Sequence, residues 1–229
     1  MKGILIFIVS FIILSNSFAQ ESTVYELSKF EKLVVIGNFP VQIINSSEKE
    51  AIVDKDDNDV NLENLTFSYS QNTLTIKYSG SFVEEIGINL TLYYAGNIST
   101  IEARRGAQIK VKNAGEFNST VSYLADAGGK LEINEVYAPL IKSNVTKGGS
   151  ISINGKTPIF EPTIKAGGTI AAVRLRADEV NANVTFGGEI ICAPIQSLNA
   201  NVTSGGIINY NGHPKVNKNI KLGGTIEKL

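Results

Sequence analysis

Apolar and polar residues alternate with period two along most of the chain. Leu65, Phe67, Tyr69 and then Leu74, Ile76, Tyr78 alternate on either side of Gln71-Asn72, a pattern that predicts a β-hairpin. Leu33, Val35 and Val41, Ile43 predict two short strands around a turn at Gly37-Asn38-Phe39-Pro40. Ala51 to Val53 predicts a third strand, and Ile86 to Tyr94 another. No helical period of 3.6 residues is convincing after residue 20. The pattern is all-β.

From Ile98 onward the alternation is tied to a glycine doublet. It stands at Gly128-Gly129, Gly148-Gly149, Gly167-Gly168, Gly187-Gly188, Gly205-Gly206 and Gly223-Gly224, with steps of 20, 19, 20, 18 and 18 residues. Arg105-Gly106-Ala107 is a diluted copy 22 residues earlier. Two residues after each second glycine comes Ile or Leu: Ile109 in the diluted copy, then Leu131, Ile151, Ile170, Ile190, Ile208 and Ile226. Three before each first glycine stand Ala125, Val145, Ile164, Val184, Val202 and Ile220. Each repeat therefore holds two alternating runs, one on each side of the doublet, with one apolar face apiece.

A period near 20 residues marks a solenoid. One repeat is one coil of a parallel β-helix, whose inward residues stack on those of the next coil. One coil cannot bury its apolar set alone. A string of hairpins would pair antiparallel and would favour Asn-Gly or Asp-Gly turns; a phase-locked Gly-Gly fits a stacked corner better. Gly187→Val is expected to damage folding rather than any activity. The sequence divides into a leader over residues 1–19, a strand-rich part over 20–103 that leads into the solenoid and caps its first coil, and the glycine-repeat helix over 104–229.

The leader has Lys2, an apolar run from Ile4 to Leu14, and a small-x-small site at Ser17-Phe18-Ala19. That is the form of a secretory signal peptide. Its run is shorter than the roughly 20 residues a membrane span needs, and no later stretch is apolar enough. Lys and Arg total 21 against 22 Asp and Glu, so no basic face points to nucleic acid. With one cysteine there is no disulfide framework.

The phrases Ala127-Gly128-Gly129-Lys130-Leu131-Glu132-Ile133, Lys147-Gly148-Gly149-Ser150-Ile151-Ser152-Ile153 and Ser204-Gly205-Gly206-Ile207-Ile208-Asn209-Tyr210 resemble the glycine motif of the head-GIN domain family. Phe30 to Phe39, Gln71 to Ile76 and Ile208 to Pro214 are similar to its N-terminal part and last coil. The resemblance implies a pectin-lyase-like, right-handed, single-stranded β-helix and a role in adhesion. It carries no catalytic residues. The family's glycine–small–glycine corner is here small–glycine–glycine.

Chemistry is sparse. His213 sits in the turn Asn211-Gly212-His213-Pro214, and no nucleophile stands at a recognisable spacing from a base. Cys192 occupies an inward position and reads as a small hydrophobe. Asp54, Asp56 and Asn58 start like a calcium loop, but Asp59 and Leu65 replace its glycine and glutamate. The acids of the coils do not stack at one phase, which argues against a polysaccharide lyase.

The most distinctive outward feature is polar. Asn144, Thr163, Asn183, Asn201 and Asn219 stand four before the doublets; Asn181, Asn199 and Asn217 stand six before. Asn144, Asn181, Asn183, Asn199, Asn201 and Asn219 are the candidate face for a glycan or a surface protein. Stacked amides that bond to one another are the bland alternative. The chain ends soon after the last doublet, which predicts an open coil and a homo-oligomer. The expectation is an exported, non-enzymatic protein of adhesion or the cell envelope, in the periplasm, on the outer-membrane surface or outside the cell, with no cofactor. A carbohydrate-binding module and, further off, a polysaccharide-active enzyme are the alternatives.

Overall fold

The computed structural model describes residues 22–55, 60–80 and 84–229. The leader read over 1–19 and the charged turn at 56–59 lie outside the described residues. In chain order the strands are β1 (Ser22–Glu26), β2 (Lys32–Ile36), β3 (Pro40–Asn45), β4 (Lys49–Lys55), β5 (Leu65–Ser70), β6 (Thr73–Tyr78), β7 (Ile88–Tyr94), β8 (Thr100–Arg104), β9 (Gln108–Val111) and β10 (Gly115–Glu116). They continue as β11 (Val121–Asp126), β12 (Lys130–Tyr137), β13 (Leu140–Thr146), β14 (Ser150–Ala166), β15 (Thr169–Phe186), β16 (Glu189–Ser204), β17 (Ile207–Tyr210), β18 (Lys215–Ile220) and β19 (Thr225–Lys228). The chain is all-β, a solenoid of stacked coils.

Strands that precede a corner form the first sheet. It runs β5, β6, β2, β8, β11, β13, then the C-terminal halves of β14, β15 and β16, then β18. Strands that follow a corner form the second: β1, β4, β7, β3, β9, β12, the N-terminal ends of β14, β15 and β16, then β17 and β19. From β6 and from β7 onward every pairing is parallel, which excludes a string of hairpins. At the N-terminal end β5, β4 and β1 add antiparallel strands. Gln71 and Asn72 join β5 to β6 with φ of 47° and 58°, the left-handed pair of a type I′ turn.

Stack order departs from chain order at one place. β2 and β3 do not pair with each other; they are two arms of a coil, wedged between β6/β7 on one side and β8/β9 on the other. β2 and β3 thus lie inside the stack, while β1 before them pairs at its edge, and the chain returns beside them before it climbs coil by coil.

The inward rows are continuous. Ile151, Ile170, Ile190 and Ile208 are in register and each is buried. Val145, Ile164, Val184 and Val202 do the same on the first sheet. Each such side chain contributes roughly 1.5–3 kcal/mol on burial. In the last coil Val216 is half-buried and Ile220 is exposed. A large residue is followed by smaller ones in one inward row: Tyr123 stands beside Ser143, then Pro162. Near the N-terminal end Phe30 stacks on Tyr94 with ring centroids 4.2 Å apart, and the Tyr94 hydroxyl donates to Phe30 O at 2.5 Å and accepts from Phe30 N at 2.9 Å.

The corners use the glycines in two ways. At Ala127-Gly128 and Lys147-Gly148 the left-handed pair is the residue before the doublet plus its first glycine, with φ of 48° and 79°, and 51° and 79°. From Gly167-Gly168 onward it is the doublet itself, with φ of 65° and 100° at that corner. The second glycine lacks room in both forms. A Cβ at Gly129 would collide with the Ala103 carbonyl of the preceding coil, and one at Gly188 would lie 2.8 Å from Gly168 O and 2.8 Å from Ile164 Cγ2.

A third, short side closes each coil. β10 pairs with Val136-Tyr137, which pairs with Gly155-Lys156, which pairs with Leu175-Arg176. Register shifts cluster here, between Ile133 and Val136, Ser152 and Asn154, and Ala172 and Ala177. This side absorbs the changing length of the repeat.

Candidate functional site

The predicted polar face exists as a pair of amide rows on the first sheet. Asn144, Thr163, Asn183, Asn201 and Asn219 are in register on β13, β14, β15, β16 and β18. Alternation turns their neighbours inward, so these side chains face out; Asn144, Asn183 and Asn201 are half-buried and Asn219 is exposed. Asn219 Nδ2 donates to Asn201 Oδ1 at 3.3 Å, and Asn201 Nδ2 donates to Asn183 Oδ1 at 3.1 Å. In the second row Asn199 Nδ2 donates to Asn181 Oδ1 at 2.9 Å. Asn183 Nδ2 ties the rows together through Asn181 O at 3.3 Å. Five of the six candidate residues form one network. Thr163 interrupts it, and Asn144 stands apart beyond the break. Because every rung repeats the same bond, the face is stiff, and only part of each amide is left for a partner.

A second amide site was not anticipated. Where the second sheet turns into the short third side, Asn154 Nδ2 donates to Asn134 Oδ1 at 2.6 Å, and Asn154 Oδ1 accepts from Glu135 N at 3.0 Å. Glu135 has φ of 55°, so Asn154 holds a left-handed residue of the coil below. The role of Asn134 and Asn154 is a corner brace. Their spacing of 20 residues was the available signal.

The larger finding lies on the outer face of the second sheet. A groove of about 670 Å³ crosses β7, β3, β9, β12, β14 and β15. Its floor is formed by short outward side chains, Ser150, Ser152, Thr169 and Ala171, and its walls by Gln42, Gln108, Lys110, Lys130, Glu132 and Arg174. Reading the positions one and three after each doublet would have found it: long side chains on β12 give way to small ones on β14 and β15. Lys110 Nζ pairs with Glu132 at 3.0 Å. Hydrogen bonds from Asn134 and then Lys110 hold the Glu132 carboxyl below its ordinary range, against partial desolvation, with the charges of Lys110 and Arg174 assisting.

Elsewhere the chemistry is inert. Burial pushes the Cys192 thiol up to about 12, so it stays protonated and packs as an apolar side chain. His213 is exposed on its turn. Asp54 accepts from Ser22 Oγ at 2.6 Å. Among the described residues no group of three or more His, Cys, Asp or Glu is placed to hold a metal ion, and no helix is long and apolar enough to cross a membrane. The buried hydroxyls of Tyr123 and Ser143 have no hydrogen-bond partner among the described residues.

Stacked parallel coils with polar outer faces define a β-solenoid. The chain belongs to the family described as putative auto-transporter adhesin, head GIN domain, whose model matches residues 29–214. It is similar in structure to a putative adhesin from Bacteroides fragilis NCTC 9343, with a TM-score of 0.79 and 19% identity, over 93% of this chain and 98% of that one. A putative lipid binding protein from Parabacteroides distasonis ATCC 8503 matches with a TM-score of 0.69 and 17% identity, over 92% and 96%. A putative adhesin from Parabacteroides merdae ATCC 43184 matches with 0.69 and 16%, over 92% and 96%. At these identities the likeness is one of fold. No curated protein matches the chain at a significant level.

Proposed function

We propose that this protein is an exported, non-enzymatic adhesion module that contacts a glycan or a surface protein through its outer faces. The observation that carries the reading is the in-register stacking of outward polar residues, with Asn183, Asn201, Asn219 and Asn181, Asn199 as its fullest case. A stack repeats one pattern of donors and acceptors at each strand spacing of about 4.8 Å. A repetitive ligand can then make many weak bonds without ordering the protein further, which lowers the entropic cost of binding. Membership in a family described as adhesins supports the reading. So does the state of Cys192, which is buried and protonated rather than poised to attack.

Two experiments test it. Surface proteolysis on intact cells should cleave the protein; full protection would remove it from any adhesive role. Glycan-array or cell binding by the purified chain should fall when Asn183 and Asn201 are both changed to Ala. A folded double variant that keeps all of its binding would place the contact on another face.

A further inference from the structure

The groove on the second sheet carries an excess of positive charge. Among the described residues three cations line it, Lys110, Lys130 and Arg174, against one carboxylate, Glu132. Glu132 is already engaged by Lys110. Lys130 and Arg174 form no ion pair among the described residues. The floor between them offers the hydroxyls of Ser150, Ser152 and Thr169, and the upper wall the amides of Gln42 and Gln108. From β7 to β15 the groove spans five strand spacings, or about 24 Å at the usual separation. No aromatic side chain among the described residues lines it, so a nucleobase would have nothing there to stack on.

We propose that this groove binds an extended carboxylated polysaccharide, a polyuronate, laid across the strands parallel to the solenoid axis. The arrangement suits that polymer in three respects. Its carboxylates meet Lys130 and Arg174, which form no ion pair among the described residues, Arg174 acting on Glu132 only through space. Its hydroxyls meet the Ser, Thr and Gln side chains, which need donors and acceptors. Its length matches a groove that is long and shallow. Glu132 sets the limit on affinity, because its carboxylate opposes the ligand and ties up Lys110. The groove lies on a different sheet from the amide rows, so this proposal stands or falls separately from them.

The test is a binding titration of the full chain with alginate as the polyuronate, dextran as the neutral polysaccharide, and polyglutamate and single-stranded DNA as polyanions of other classes. Alginate should bind at moderate salt, dextran should not, and polyglutamate and DNA should bind at least about tenfold more weakly than alginate. Lys130→Gln and Arg174→Gln should each weaken alginate binding about tenfold or more, the scale of one charge-assisted hydrogen bond. Glu132→Gln should tighten it several-fold. All three positions are on the outer face, and unchanged circular dichroism and Tm would show that the variants fold. Equal affinity for alginate, polyglutamate and DNA would reduce the groove to a plain cationic patch and overturn the proposal. Tight alginate binding that survives the Lys130, Arg174 double variant would overturn it as well. If alginate binding is lost in these variants but kept when Asn183 and Asn201 become Ala, the groove is the alginate site; the opposite outcome sinks the groove.

Discussion

Adding one methyl group at Gly188 should harm the protein far more than adding it at Gly187. The two residues form one corner, with φ of 64° and 98°. At Gly187 an added Cβ meets nothing within 4 Å. Its φ lies in the left-handed region that L-residues can reach, at a cost of about 1–2 kcal/mol. The narrower unfolded chain of either Gly→Ala variant offsets roughly 0.4–1 kcal/mol, which cancels between the two. At Gly188 the φ lies outside that region, which costs about 1–3 kcal/mol. The Cβ also lies 2.8 Å from Gly168 O and 2.8 Å from Ile164 Cγ2 of the coil below. Gly168 O accepts the hydrogen bond from Glu189 N at 3.0 Å, so relieving the clash disturbs the ladder. Overpacking of this kind costs about 1–3 kcal/mol more. The gap between Gly188→Ala and Gly187→Ala should be about 2–4 kcal/mol, or roughly 5–15 °C in Tm. Thermal and urea unfolding followed by far-ultraviolet circular dichroism measure it. Two variants within about 0.5 kcal/mol of each other, or a worse Gly187→Ala, would refute the reasoning. Gly187→Val fails for the milder reason alone, a β-branched residue at positive φ.

Tyr123→Phe should stabilise the protein by about 0.5–2 kcal/mol, since it removes a buried hydroxyl without a partner; a lower Tm would mean that the hydroxyl is hydrogen-bonded in solution. Tyr94→Phe should do the reverse and cost about 1–3 kcal/mol, because it strips both Phe30 N–H and Phe30 C=O of their partner; an unchanged Cm in urea would contradict that. Asn201→Ala should cost about 0.5–1.5 kcal/mol by breaking two rungs, and Asn199→Ala less, with the order of the two Cm values as the check. Cys192 should resist a thiol reagent until the chain unfolds. Its folded pKa of about 12 lies above the ordinary 9.0, so the folded state keeps a proton that the unfolded state loses. Stability should therefore decline as pH rises above 9.0, and Cys192→Ala should flatten that part of the decline in a series of urea midpoints.

The phase of the doublets carried most of the architecture. It placed Ile151, Ile170, Ile190 and Ile208 in one inward row and Asn183, Asn201 and Asn219 in one outward row, and the register agrees with both. It could not reveal which glycines take positive φ, because a small–Gly–Gly string closes the corner in two ways that differ by one residue. The third side was invisible for a related reason. Val136-Tyr137 and Leu175-Arg176 are too short to alternate, and bulges there absorb the variation in repeat length. The wedging of β2 and β3 between later strands was also hidden. Period two says which face a residue takes and nothing about which strand lies beside it. Repeated polar residues do not reveal the groove, because it is made by a break in repetition, where Lys130 and Glu132 are followed in register by Ser150 and Ser152.

That contrast bears on how the two faces divide their work. An amide that donates to the rung before it and accepts from the rung after has spent its best geometry inside the protein. The Asn183–Asn201–Asn219 row therefore stabilises the tube first and offers a partner only its remaining lone pairs and N–H groups. Lys130 and Arg174 form no ion pair among the described residues, and Arg174 acts on Glu132 only through space. Two exposed cations without a carboxylate in contact contribute little to folding. A feature of that kind, next to rows whose polar groups are paired off, is where a binding partner can gain most per contact. The stiffness of the first sheet and the open charge of the second are then complementary: one keeps the coils in register, and the other uses that register to space its cations along the axis.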